Sequence, residues 1–342
     1  MNRNNIYTVN RKQLIANYEY IKQHVPNAKI CAMVKANAYG VGVEFVVPVL
    51  KGRVDYYGVS CVGEAKEVRK LDKHTPIIIL GKTEKTELNW CSKNHIVVTI
   101  SNLVEWQQCV DSILSLVVHV KIDTGMHRYG LSSVSDVKHM IDNKPDHIKI
   151  EGILTHFATK QKDIPYLLQQ YNDFQCFTAL MDKDVLAHCA SSYATLHQSQ
   201  CALDMVRVGY SLYNGLAPCV SIRSKIIEVQ EIEKGQSVGY DRTYIAKTKQ
   251  RVGIIPIGYA DGMDRRLSNK GYVYLNGHYA KIVGNICMDA MFVLFDECDK
   301  LGDSVEILGK HLCYEDYADI LKTSPYDVML KWRYRRMKIV LK

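Results

Sequence analysis

The stretch AMVKANAYG, Ala32 to Gly40, decides the fold. An apolar run, Ile30–Val34, ends in Lys35, and the chain then breaks into a loop of Asn, Tyr and Gly. Residues that finish a buried strand are ordinarily polar turn formers. A lysine at that point stands where a catalytic group stands if the strand belongs to a barrel, because a (β/α)8 barrel carries its function at the C-terminal ends of its strands. The rest of the first two-thirds supports a barrel. Apolar runs recur at 57–60, 77–80, 96–100, 116–122, 150–154, 185–187 and 205–208. The gaps read as amphipathic helices, as in Ser101–Ser112 and Asp163–Asp182. The first helix has its own start signal: Asn10 caps, Gln13 follows three residues later, and Leu14, Tyr18, Ile21 and Val25 hold helical spacing until Pro26. Buried parallel strands joined by crossover helices predict a (β/α)8 TIM-type barrel over residues 10–220. An open doubly wound sheet needs a glycine-rich loop after its first strand, and GVGVEF, Gly40–Phe45, lacks the third glycine.

The pattern changes at Ser221. Helical periodicity fades and strand-like runs follow one another, which predicts a C-terminal all-β domain over 221–342, with residues 1–9 adding a strand. Asn276-Gly277 inside YVYLNGHYAKIV, Tyr272–Val283, signals a two-residue hairpin, because both turn positions need positive φ. The basic stretch KWRYRRMK, Lys331–Lys338, alternates with Trp332 and Tyr334 and reads as a half-buried strand with a solvated face, not as a nucleic-acid surface.

The composition is that of a soluble globular protein, 47% hydrophobic and 23% charged over 342 residues. A net charge of +8 is compatible with an anionic ligand. Eleven cysteines without a repeated spacing read as reduced thiols of a cytoplasmic protein. No apolar run approaches the ~20 residues of a membrane span, and MNRNNIYTVN lacks the apolar core of a secretory signal. His188, Cys189, His197 and Cys201 cluster without the spacing of a tetrahedral zinc site, so no metal is expected. Cys287 lacks the partners of a thiol nucleophile.

The residues at the strand ends are informative when taken in order. They are Lys35 and Tyr39; Lys121, Asp123 and Arg128; His156; His188, Ser191 and Ser192; then Arg207, Gly209 and Tyr210. A lysine can form a Schiff base with a carbonyl. Hydroxyls, tyrosines and a close glycine backbone suit a phosphate. Together they suggest pyridoxal phosphate.

VKANAYG at 34–40, KIDTGMHRYG at 121–130, LTHFAT at 154–159, VRVGYSLYNG at 206–215, IGYADG at 257–262 and GNICMD at 284–289 occur in the order and approximate spacing of the alanine racemase family. The chain resembles that family, of fold-type III, over nearly its whole length. The resemblance implies a PLP-binding barrel followed by a β-domain, a small amino-acid substrate, and a homodimer with shared active sites. It also implies interconversion of L- and D-alanine, which supplies D-alanine for peptidoglycan.

The same resemblance assigns roles. Lys35 holds the cofactor and is the base on one face of the substrate. Tyr240, in SVGYDRTY, is the base on the other face and comes from the partner subunit. A free tyrosine titrates near ~10, so such a base needs neighbours that favour its anion, with His156 and Arg207 as the supporting chain. Arg207 meets the pyridine nitrogen. Tyr39, Ser192, Gly209, Tyr210 and Tyr326 contact the phosphate; a serine in that place can also be a helix cap. Arg128 bonds the phenolic oxygen and helps hold the substrate carboxylate. Met288 offers its backbone N–H, flanked by Cys287 and Asp289. Tyr259 and Tyr326 narrow the entrance. Lys121 matches a lysine that is carbamylated in some relatives, and an unmodified strand lysine is the other reading.

Some positions depart from the family pattern: Val41 for a common His, His127 for a frequent Gly, Ser191 for a frequent Asn, and RYRRMK for Arg-Val-Pro-Arg. The alternatives are a serine or broad-specificity racemase linked to glycopeptide resistance, whose catalytic half follows a membrane domain, and a non-catalytic PLP-binding protein built from a single barrel. A decarboxylase of the same two-domain fold would want an acid where Arg207 stands.

Overall fold

The computed structural model describes residues 4–342. It divides into two compact units: residues 14–38 with 42–216, and the segments up to Gln13, 39–41 and 217–342. The chain opens with strand β1, Ile6–Val9, and a helix over Arg11–His24. Asn10 Oδ1 accepts the Gln13 N–H at 3.0 Å, and Leu14, Tyr18 and Ile21 form the buried face. Val25 lies one residue past the helix and is also buried.

The first unit is a barrel. Its strands are β2 (Lys29–Met33), β3 (Tyr56–Val59), β4 (Ile77–Ile79), β5 (Ile96–Ile100), β6 (Leu116–Lys121), β7 (Ile148–Leu154), β8 (Leu186–His188) and β9 (Met205–Val208). All neighbouring pairs are parallel, and β9 returns to pair with β2. The seam between β8 and β9 is drawn together by Arg207 N–H to Ala190 O at 2.9 Å and Asp204 N–H to Ala187 O at 3.1 Å. Every residue of β3, β4 and β5 is buried, as a parallel strand covered on both faces requires. Helices such as Leu103–Ser112 and Ile164–Thr178 fill the gaps where the periodicity placed them.

One irregularity matters later. Along β6 and β7, Val118 pairs with Ile150 but His119 pairs with Gly152. Glu151 is therefore an extra residue, a bulge that re-aims its side chain. A Cβ on Gly152 would lie 2.6 Å from the His119 ring, so only glycine leaves room for that imidazole.

The second unit is a nine-stranded sheet. It adds β10 (Val220–Lys225), β11 (Glu228–Ile232), β14 (Gln250–Ile255), β15 (Tyr272–Leu275), β16 (His278–Val283), β17 (Met291–Phe295), β18 (Ser304–Leu308) and β19 (Lys338–Leu341) to β1, in the order β11-β14-β17-β16-β15-β18-β10-β1-β19. A separate hairpin joins β12 (Ser237–Val238) to β13 (Tyr244–Ile245). β1 lies antiparallel to β10 and parallel to β19. The β15–β16 hairpin turns on Asn276 and Gly277, with φ of 46° and 93°.

Two features depart from the sequence reading. Helices Tyr314–Leu321 and Pro325–Lys331 interrupt the strands. The second starts where Ser324 Oγ accepts the Tyr326 N–H at 3.3 Å and Pro325 supplies a preset φ. KWRYRRMK is not one strand. Lys331 ends that helix, Tyr334–Arg336 form a 3₁₀ turn, and only Lys338 opens β19. Trp332 and Tyr334 are buried while Arg333 and Arg335 are exposed. The alternation read burial correctly, but a tight turn satisfies it as well as a strand does. All eleven cysteines are free thiols. Among the described residues, no helix is long and apolar enough to cross a membrane.

Candidate active site

Lys35 follows β2 directly and begins an unusual turn. Ala36, Asn37 and Ala38 have φ/ψ near 51°/49°, 54°/52° and 51°/51°, and Tyr39 has φ 58°. This is left-handed backbone, which costs roughly 1–2 kcal/mol per non-glycine residue. Specific bonds hold it. Glu64 Oε1 accepts the Ala36 N–H at 2.7 Å, while its Oε2 takes the Ser60 N–H and hydroxyl at 2.7 and 2.8 Å. Asn37 Oδ1 accepts the Val43 N–H at 2.8 Å. Sequence reasoning passed over Glu64; its spacing of four from Ser60, at the start of the helix Val62–Leu71, was the available signal. The Lys35 amine is held below its ordinary pKa by burial first, then by Arg128 against an opposing pull from Glu64, with Arg207 adding to the depression. That favours the neutral, nucleophilic amine.

Arg207 on β9 is buried and densely bonded. Its Nη1 donates to His188 O and faces His188 Nδ1, both at 2.8 Å. Its Nη2 donates to Thr155 O at 2.7 Å and Cys189 O at 3.1 Å, and lies 3.4 Å from His156 Nδ1. The guanidinium is thus fixed by three carbonyls at the strand ends and by His188. His156 is half-buried, and its pKa is held well below the usual value by desolvation and by Arg207, Arg128, Lys121 and Lys35.

Lys121 ends β6 with its Nζ 3.6 Å from the centre of the Tyr129 ring; the Arg128 guanidinium is 5.4 Å from the same ring. Burial, then Arg128 and Arg207, push the Lys121 amine down to about 7. The following loop is shaped by Asp123, whose Oδ1 accepts the N–H groups of Gly125, Met126 and His127 at 2.9–3.0 Å. His127 has φ 52°, left-handed backbone that glycine adopts without strain and that this chain holds with a histidine.

Ser192 gathers the end of β9. Its Oγ accepts the N–H groups of Gly209 and Ser211 at 3.2 Å each and lies 3.1 Å from Ser211 Oγ. Ser211 was not singled out in the sequence. Tyr210 Oη accepts from Asn214 Nδ2 at 3.0 Å. These hydroxyls and amides are donors of the kind a phosphate takes.

Other expected residues lie in the second unit. Tyr39 and Tyr326 have ring centres 5.9 Å apart. Tyr240 is 68% exposed, and Asn285 Nδ2 holds its turn by donating to Tyr240 O at 3.1 Å and Asp241 Oδ2 at 3.0 Å. Tyr259 N–H donates to Cys287 O and Ala260 N–H to Met288 O, at 3.1 and 3.0 Å. Gly258 permits this approach, since a Cβ there would sit 2.3 Å from both carbonyl oxygens. Arg336 ties the same two loops, 3.2 Å from Asp261 Oδ1 and 2.8 Å from Asp289 Oδ1. The sequence had marked RYRRMK as a departure and as part of a basic strand, without a role for Arg336. Burial pushes the Cys287 thiol up, away from thiolate chemistry. Cys189 Sγ donates to Cys201 O at 3.2 Å, and His188 is committed to Arg207.

The barrel therefore gathers Lys35, Lys121, Arg128 and Arg207 with a hydroxyl and amide cluster at its strand ends. The donor set fits a phosphorylated carbonyl compound, and the depressed lysine fits its covalent attachment.

The comparisons agree with this geometry. Residues 9–217 match the family model described as alanine racemase, N-terminal domain, and residues 219–340 match alanine racemase, C-terminal domain. The chain is 34% identical to alanine racemase 2 of Caldanaerobacter subterraneus, over 94% of this chain and 90% of that one. It is also 34% identical to an alanine racemase of Streptococcus pyogenes, over 94% of both. Among solved structures, the biosynthetic alanine racemase of Pseudomonas aeruginosa superposes with a TM-score of 0.93 at 28% identity, covering 99% of each chain. The alanine racemase of Bartonella henselae with covalently bound pyridoxal phosphate gives 0.90 at 26% identity, again over 99% of each. Two matched domains spanning nearly the whole length, in the order the fold presents them, place this chain in the alanine racemase family.

Proposed function

We propose that the protein interconverts L- and D-alanine with pyridoxal phosphate, using Lys35 and Tyr240 of the partner subunit as the two bases. The observation that carries this reading is Arg207, a buried cation fixed by carbonyls where an acid would serve other chemistry. When bound, pyridoxal phosphate supplies a carbonyl that condenses with amino groups and acidifies the substrate Cα–H. Lys35 would hold it, with the phosphate on Ser192, the amides of Gly209 and Tyr210, and the hydroxyls of Tyr39 and Tyr326. Arg207 would face the pyridine nitrogen, and because an arginine does not give up its proton it would leave that nitrogen unprotonated and the ring a weak electron sink. That favours immediate return of the proton to Cα over side reactions.

Lys35 moves a proton at Cα on one face and Tyr240 moves one on the other. Abstraction by Tyr240 and return by Lys35 converts the L-isomer; the reverse exchange converts the D-isomer. His156, kept neutral, orients the tyrosine. Arg128 and the Met288 N–H hold the carboxylate, while Cys287 and Asp289 shape the Met288 turn. Tyr259 and Tyr326 leave space for a small side chain. The neutral form of Lys121 is the one that adds CO2, so a carbamate there would orient Arg128. Because Tyr240 is given in trans, the working unit is a homodimer. A cytoplasmic enzyme of this kind would feed D-alanine to peptidoglycan synthesis.

A serine racemase reading has no separate support, since the relatives above are alanine racemases. A single-barrel carrier would lack the matched C-terminal domain. The test is L-alanine turnover in D2O. Two bases predict D-alanine carrying deuterium at Cα while the remaining L-alanine keeps its proton early in the reaction. D-alanine that retains the original proton would overturn the proposal.

A further inference from the structure

Behind Arg207 the barrel contains polar groups that the racemase reading does not use. His188 Nε2 lies 2.8 Å from His119 Nδ1, and both rings are fully buried. His119 Nε2 points toward Glu151 Oε2 at 3.6 Å, with no nearer polar partner among the described residues. Glu151 also accepts the Tyr56 hydroxyl on Oε2 at 3.0 Å and pairs with Lys149 through Oε1 at 3.2 Å.

Donor counting fixes every proton in this row. Arg207 can only donate, so His188 Nδ1 must be the acceptor of their 2.8 Å contact. His188, neutral, then carries its proton on Nε2 and donates to His119 Nδ1. His119 in turn carries its proton on Nε2, facing the Glu151 carboxylate. Protonating either ring would set two donors against each other. Burial, the largest cause in each case, keeps both rings below the ordinary imidazole pKa. The His119 N–H facing it, helped by Lys149 and Tyr56 against the opposing effect of burial, keeps the Glu151 carboxyl near 2.

The backbone is arranged for this row. The β7 bulge makes Glu151 the extra residue just before Gly152, which pairs with His119 and leaves the space the imidazole occupies. Neither feature is needed for a barrel strand.

We infer that Glu151, acting through His119 and His188, is a positioning residue that fixes Arg207 and weakens its N–H groups as donors toward the cofactor nitrogen. The reason is direction. Each imidazole turns its lone pair to the cation and its N–H to the anion, so the carboxylate's charge is felt at the guanidinium. A weaker donor at Arg207 keeps the cofactor a weak electron sink. This rests on the cofactor reading of the site, and the test separates the two.

The first arm is ¹⁵N NMR of ring-labelled histidine in the apoprotein, where no cofactor reading is involved. The row predicts neutral Nε2–H tautomers for both His119 and His188. A charged ring or an Nδ1–H tautomer at either position overturns it. The second arm is Glu151→Gln in the cofactor-loaded enzyme, with Glu151→Asp as the conservative control and a melting curve to verify folding. The measured quantity is pyruvate formed per D-alanine formed; pyruvate arises when the amino group stays on the cofactor, which is reduced as alanine is oxidised. The expected rise is about tenfold, equivalent to one pKa unit of differential interaction, with KM for alanine unchanged and Glu151→Asp near wild type. An unchanged ratio in a folded variant overturns the inference. Wild-type enzyme without a Lys35-linked cofactor absorbance would overturn the cofactor reading instead, and the first arm would still decide the row.

Discussion

If Lys35 and Tyr240 meet across a subunit boundary, two inactive variants should rescue one another. Lys35→Ala removes the covalent anchor and one base. Tyr240→Phe removes the other base and should cost roughly 10²- to 10⁴-fold, the usual contribution of a positioned acid–base group. Tyr240 is 68% exposed in the chain, and a melting curve for each variant checks that it folds. In a heterodimer of the two variants, one site receives both lesions. The other receives Lys35 from one subunit and Tyr240 from its partner, both intact. With the subunits carrying different affinity tags, the purified heterodimer should show about one half of wild-type turnover, since an isologous dimer has two equivalent sites. The statistical mixture of dimers should show about one quarter, because half of its dimers are heterodimers. Were the two residues to act within one chain, both sites of the heterodimer would be damaged and turnover would stay at the level of the single variants. That result would refute the shared-site reasoning.

Other predictions address the supporting residues. Lys121 titrates near 7 in the folded chain, well below its unfolded value, so its burial costs stability in full below pH 7. The cost fades as pH rises toward the unfolded value. Lys121→Met should therefore raise stability more at pH 6 than at pH 9 in urea titrations. Glu64→Ala strips the acceptor from the Ala36 and Ser60 N–H groups and should cost about 1–3 kcal/mol; melting curves read the loss, and cofactor absorbance should show weaker attachment at Lys35. Arg336→Ala frees the loops of Asp261 and Asp289 and leaves Asp261 buried without that partner. It should raise KM for alanine more than it lowers kcat, as steady-state kinetics would show.

The barrel was legible because its strands carry their own signal. Ile96–Ile100 and Met205–Val208 were read to the residue, since a parallel strand buried on both faces is an unbroken apolar run. The strand-end residues followed from the fold, and the motifs assigned them. What escaped was whatever depends on contacts distant in sequence. Glu64 reads as one more helix glutamate until its bond to Ala36 is seen, 28 residues away. His119 in VHVK shares a strand face with Lys121, and a polar residue on a buried strand was a visible signal. Its partners His188 and Glu151, however, come from two other strands. The bulge at Glu151 is marked in the sequence only by Gly152, a glycine inside a strand. KWRYRRMK misled because alternation specifies which side chains are buried and leaves the backbone open.

The measurement that tests the central claim most directly is D-isomer formation from L-alanine and L-serine, side by side, with pyridoxal phosphate present. The account predicts D-alanine formation and a much slower reaction with serine, whose extra hydroxyl would meet the entrance that Tyr259 and Tyr326 are proposed to narrow. Serine converted as fast as alanine or faster would contradict it, and would turn attention to His127 and the turn around Tyr326.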